Sequence, residues 1–342
     1  MIPNPDMMIY IVIGFLWVSL LIYVLMGGAD FGAGILELFT PEVKKADVRK
    51  AAHHAIGPIW EANHMWLIIA IVILFVGFPQ VYSVASVYLH IPLVIMLLGI
   101  IARGTAFAFR NYDAVKDGTQ KLYNKIYVYS SFVTPLFLGI ISATAVSGRI
   151  NTAANSFTQT YIFDWFNWFS FSVGFFTVFL CGFLAAIYLA GEIKDNTRGN
   201  IYIYRAKIMF AAMMVCVLAV FISSFKENIP LVSWLLGNTI SIIAVCLSVI
   251  GMIVLWVLIG KCKYISIRFV AGFMVTAMLI AVTYTHYPNI ILLKDGSHLS
   301  LTEHAAPGKT ITALAIALLV GSLFILPSLV YLVYSFGKKE GE

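Results

Sequence analysis

Within GPIWEANHMWLIIAIVILF, residues 57–75, a glutamate and a histidine stand at the head of an uncharged, mostly aliphatic run. Glu61 and His64 are three residues apart, so on a helix they share one face and reach each other. A carboxylate and an imidazole are the side chains whose proton affinity burial and neighbouring charge bring toward neutrality. An ionisable group within a membrane span costs about 2.5–3.5 kcal/mol on insertion scales, so this pair demands a reason. Proton conduction supplies one; a structural hydrogen-bonded knot and a transport site are the competing readings. Asn63 adds an amide, Trp60 and Trp66 bracket the site, and Pro58 removes a backbone donor at its entrance.

Two further stretches carry charge at what should be the same depth. GGADFGAGILELF, residues 27–39, holds Asp30 among glycines and alanines. Small residues allow close helix approach in lipid, and glycine also tolerates positive φ in an irregular turn. The first helix is therefore expected to end here, with Asp30 at its cytoplasmic edge. IIARGTAFAFR, residues 100–110, offers Arg103 and Arg110, with Asp113 just beyond. Asp30, Arg103, Arg110 and Asp113 are expected to gather at the inner mouth beside Glu61 and His64, although an interfacial anchor is the simpler role for Asp30. His90 falls in the middle of the expected third span. As a haem ligand it would need an opposing His or Met, and a packed histidine is the plainer reading. His53 and His54 border a basic loop, and His286, His298 and His304 belong to the opposite end, where hydration is expected. Cys181, Cys216, Cys246 and Cys262 lack metal-ligand spacing. With no phosphate loop or dinucleotide fingerprint, neither a metal site nor a catalytic centre is expected in this chain.

The elements that must position these residues follow from composition. The chain of 342 residues is 61% hydrophobic and 11% charged, with a mean hydropathy of +0.93; soluble domains carry about 25% charged residues. Apolar runs of the ~20 residues needed to cross a bilayer are expected near 8–26, 58–78, 80–102, 125–147, 166–190, 204–224, 236–260, 268–286 and 312–336. These predict an all-α integral membrane protein with nine transmembrane helices. Most of the 22 Lys and Arg fall in the loops after the first, third, fifth and seventh spans and in the tail. The positive-inside rule then places the N-terminus outside and the C-terminus in the cytoplasm. The net charge of +6 is a topology signal, not a nucleic-acid footprint. No basic leader precedes the first span, so a removable signal peptide is not expected. The longer outer loops divide the chain into a four-helix bundle over 1–147, a second over 148–286, and a loop, ninth helix and tail over 287–342.

The motifs GGADFGAGIL (27–36), GPIWEANHMWL (57–67), FPQVY (78–82) and ARGTAFAFR (102–110), with TPLFLGIISATAVSG (134–148) and LFILPSLVYLVY (323–334), resemble the second subunit of cytochrome bd-type quinol oxidases. The resemblance runs almost the full chain. It implies a haem-free subunit packed against a haem-bearing subunit I that carries haems b and d and the quinol site, in a complex that reduces O2 to water. It implies a multi-pass protein of a bacterial or archaeal plasma membrane, and leaves open a small single-helix subunit and a structural quinone or lipid as further associates. It puts Glu61 on the proton route and Trp66 beside an oxygen-access path; the reading of the residues adds Asp30 and His64 to that route, His64 being a residue that the family pattern does not lead one to expect. Asn63, Arg103, Arg110 and Asp113 then belong to the mouth of that route or its brace. The family often has an Asp where this chain has Gly27 and a carboxylate where it has Ala108. Two other classes are distinguishable: a proton-coupled transporter, which favours helices broken at mid-membrane, and a cytochrome that binds haem by itself.

Overall fold

In the computed structural model, which describes residues 5–41, 45–46, 48–52, 60–112, 119–154, 156–192, 196–261 and 264–338, the apolar runs form helices. The first is longer than its sequence pattern suggests. Helix α1 (Pro5–Ile22) passes through a π turn at Tyr23–Gly27 into α2 (Gly28–Leu38), giving one apolar span from Met7 to Leu38. Asp30 therefore lies inside a helix, not at its end. The irregular turn that glycine would permit does not form here, where Gly27 and Gly28 keep right-handed helical angles. The glycines serve packing instead: a Cβ at Gly32 would collide with the Cys181 carbonyl oxygen, and one at Gly34 with the Ser131 hydroxyl. Close backbone approach stabilises the helix that glycine by itself would weaken.

The second correction concerns the third span. Helix α3 (Trp60–Gly77) gives way to a short α4 (Pro79–Tyr88), and the chain turns through 114° between them. Pro79 donates no backbone hydrogen bond and pushes Phe78 out of the helical region, to φ −135° and ψ 60°. The membrane helix proper is α5 (His90–Tyr112). His90 thus opens a span and does not sit mid-span, whereas Arg103 and Arg110 lie within the helix. The remaining elements are α6 (Thr119–Val146), α7 (Phe157–Tyr161), α8 (Trp168–Glu192), α9 (Asn196–Lys226), α10 (Leu231–Leu236), α11 (Thr239–Gly260), α12 (Tyr264–His286), strands β1 (Asn289–Leu292) and β2 (His298–Ser300), and α13 (Gly308–Lys338). Among the described residues eight helices are long and apolar enough to cross a membrane, and the bent pair α3–α4 makes up to nine.

Helix α8 packs on α2, α6, α9 and α12, while α13 lies along α1 and α3. The small strands depart from a purely helical fold. They form an antiparallel hairpin, Asn289 opposite Ser300 and Leu292 opposite His298, in the loop that caps the rim opposite the basic ends. This cap is tied down by Lys294 N donating to Ile150 O (3.0 Å) and Ala306 N to Gly77 O (2.8 Å). His286, expected to be hydrated, is buried. Its ring lies edge-on to Trp234 at 4.5 Å because α10 folds back on α12.

Candidate functional site: a buried acid–base ladder

Arg103 is fully buried, 0% exposed, in the middle of α5. Its Nη2 donates to the Asp30 carboxylate, to the Asp30 carbonyl oxygen (3.1 Å) and to the Tyr127 hydroxyl (3.5 Å). Its Nε donates to Ser131 Oγ (3.2 Å). Phe31 lies against the guanidinium, 5.0 Å from ring centre to Cζ. A guanidinium suits this place because it stays protonated and presents several donors in one plane. α2 and α6 supply its acceptors, so the small residues that let α2 approach its neighbours also make the charge tolerable.

A second pair repeats the first seven residues further along both helices. The buried Glu37 carboxylate accepts from Arg110 Nη1 (2.9 Å) and from Arg49 Nε (2.5 Å). Seven residues are two helical turns, about 10 Å along the axis. Tyr127 of α6 stands between the rungs, with its hydroxyl at Arg103 and its ring 4.0 Å from the Arg110 guanidinium. Two acids on α2 thus face two arginines on α5 through one tyrosine. Glu37, Tyr127 and Ser131 did not stand out as site residues in the sequence. The signal for Glu37 was the matched spacing, 30 to 37 on one helix and 103 to 110 on the other.

His64 approaches the inner rung from α3. Its Nε2 lies 4.0 Å from Asp30 Oδ2, with Phe31 and Tyr23 at ring distances of 5.9 and 6.5 Å. The π turn carries Tyr23 to this position; π turns appear often at functional sites. Among the described residues, Asp30 Oδ2, both His64 ring nitrogens, Asn63 Oδ1, Arg103 Nη1 and Trp66 Nε1 are buried without a hydrogen-bond partner. Buried polar atoms are nearly always paired, so this concentration marks a polar pocket able to take up water or protons. The structure therefore brings Asp30, His64 and Arg103 together and gives Arg110 to a separate rung. Asn63 is buried one residue from His64, and Trp66 packs in an apolar cluster with Tyr23, Phe31 and Leu67. Glu61 belongs to the first turn of α3, but its side chain lies outside the described residues. So do Asp113, His53, His54, Pro58 and Cys262.

Three of the described histidines lie on helices, and each has close neighbours. The His64 ring is enclosed by aromatic and charged groups, His90 sits at a rim with Tyr161 at 4.9 Å, and His286 is held against Trp234. No group of three or more His, Cys, Asp or Glu side chains suited to a metal ion occurs among the described residues.

These features define a polytopic helical membrane protein that seals ion pairs among its helices. Its sequence matches the family described as cytochrome bd terminal oxidase subunit II over residues 8–336, and the chain belongs to that family. It is 27% identical over 233 residues to cytochrome bd ubiquinol oxidase subunit 2 of Bacillus subtilis, covering 63% of this chain and 67% of that protein. It is 25% identical over 219 residues to cytochrome bd-I ubiquinol oxidase subunit 2 of Escherichia coli, covering 60% of this chain and 56% of that one. A chain of the bd oxidase structure from Geobacillus thermodenitrificans has the same fold, with a TM-score of 0.73 at 20% identity over 96% of this chain and 98% of that chain. Family and spans together make this a multi-pass plasma-membrane protein.

Proposed function

We propose that the chain is the haem-free companion subunit of a quinol-oxidising, O2-reducing respiratory complex, supporting assembly, proton supply and oxygen access to a haem-bearing partner. Family membership supports the complex. The observation that carries the role of this chain is the Asp30–Arg103 pair with His64 at 4.0 Å. In this reading haems in the partner carry the electrons and bind oxygen. The residues of this chain receive hydrogen ions at the cytoplasmic rim and hold them near Glu61 and His64. The unpartnered polar atoms around His64 and Asn63 support a hydrated lead into that site. Glu37, neutralised by Arg110 and Arg49, acts as a brace between α2 and its neighbours, whereas Asp30, held by Arg103 beside His64, shares the proton route with the helix α3 pair. The basic ends lie in the cytoplasm, the N-terminus lies outside, and the helices divide four, four and one, with α13 against α1 and α3. The family membership leaves the transporter reading without support.

The test is Glu61→Gln in the complex purified from its membrane. The variant is expected to assemble with its normal haem absorption and to reduce oxygen more slowly, the deficit growing as the pH is raised and protons become scarce. Unchanged turnover in well-assembled complex removes Glu61 from the proton route.

A further inference from the structure

On the rim opposite the basic ends, the segment between α6 and α8 is turned inside out relative to a water-exposed loop. Residues 157–168, FTQTYIFDWFNW, contain one charged residue, Asp164. That residue points inward and is 5% exposed, its Oδ2 accepting from Asn151 N at 3.0 Å. The aromatics do the opposite: Phe157, Phe163, Phe166 and Trp168 are 61, 58, 58 and 75% exposed. We infer that this segment is an interfacial anchor, seating these four rings in the headgroup and upper acyl region of the leaflet on that side. The inference rests on the fold and is independent of the role proposed for Glu61.

Three observations favour a bilayer as the occupant. First, the outward residues between the rings, Thr158 and Gln159, are polar but uncharged, the mixture that suits a boundary between water and hydrocarbon. Aromatic side chains concentrate at that boundary because their flat, polarisable rings tolerate both sides of it. Second, the patch continues onto exposed aromatic residues of the membrane-spanning helices. Phe175, two turns along α8 from Trp168, is exposed, and so is Phe225 near the end of α9. Third, the presentation is fixed. Glu227 Oε1 accepts from Trp168 N (2.8 Å) and Phe169 N (3.4 Å) while Oε2 pairs with Arg149 at 3.0 Å. A carboxylate at the start of α8 is favoured by the helix dipole, and here it also holds Trp168 at the same level as the end of α9. Inward, Trp165 is buried and donates from Nε1 to Tyr161 O (2.7 Å), which gives the segment a footing within this chain.

The experiment uses tryptophan emission from the complete complex reconstituted into bilayers. Phosphatidylcholine brominated near the glycerol end of its chains is compared with lipid brominated near the methyl end, and with aqueous iodide. The chain has seven tryptophans, so the contribution of Trp168 is the difference between the native complex and Trp168→Phe, a change that keeps the backbone N–H held by Glu227. Phe166→Trp supplies a second reporter that adds emission. The expected result is that both reporters lose most intensity to the shallow bromines, less to the deep ones and little to iodide. Quenching by iodide without quenching by bromolipid would place the segment in water, and quenching by neither would place it under a protein partner. Either overturns the proposal.

Discussion

At the level of single residues, Arg103 joins α5 to α2 and α6. Truncating one partner of a buried ion pair leaves the other charge uncompensated and costs about 3–5 kcal/mol. Arg103→Leu, which strands the Asp30 carboxylate, is therefore expected to lower the thermal midpoint and the yield of assembled complex. Combining it with Asp30→Asn should recover much of that loss, and calorimetry of the three variants measures the coupling. Glu37→Gln should also be destabilising, because it strands the buried Arg110 guanidinium, and only Arg49, a third exposed, can turn to solvent. The meeting of Asp30 with Arg103 was legible in the sequence, since an acid among glycines and an arginine in an apolar run must each find a partner. The destination of Arg110 was not. A glutamate near the end of a helix looks like a solvated anchor until the fold lays it beside two arginines.

At the level of elements, the spans read correctly where apolar length alone decided them, and wrongly where packing or one proline decided them. GGADFGAG reads as a helix stop because glycine has low helix propensity. It is helical here because α8 and α6 come close enough to replace what propensity withholds. Pro79 was visible, but nothing local said that Phe78 would turn the chain through 114° and not merely kink it. A prediction separates close packing from propensity. Gly32→Ala puts a methyl group into the Cys181 carbonyl oxygen, so α2 and α8 must part, and assembled complex should fall sharply by size-exclusion yield. Gly260→Ala, where a Cβ meets nothing within 4 Å, should be neutral or stabilising by up to about 1 kcal/mol. Equal effects at the two positions would show that the small-residue face of α2 is not what joins the helices.

At the level of the whole molecule, Asp164 is handled unlike the other buried acids. On the basic side Asp30 and Glu37 are sealed in with arginines. On the other, Glu227 pairs with Arg149, but Asp164 is buried in a cap of loops and strands with a backbone amide as its hydrogen-bond donor and, among the described residues, no ion pair. Burial pushes its carboxyl above the ordinary aspartate value of 3.8, against the smaller opposing pull of the Asn151 amide, Lys294 and Arg149. The folded chain therefore binds this proton more tightly than the unfolded chain does, and linkage fixes the sign. The stability contributed by Asp164 is present below about pH 4, the unfolded value, and declines as the pH rises through the folded value. Asp164→Asn retains a carbonyl oxygen for the Asn151 amide and cannot ionise. The stability of the variant relative to the native chain should be flat in acid and climb with pH above about 4, levelling off once the native carboxyl is fully ionised. Denaturant midpoints for both chains across that range, in the intact complex, measure the difference directly. A difference that stays constant with pH would mean that the cap hydrates Asp164 and that the acid titrates alike in the folded and unfolded chains.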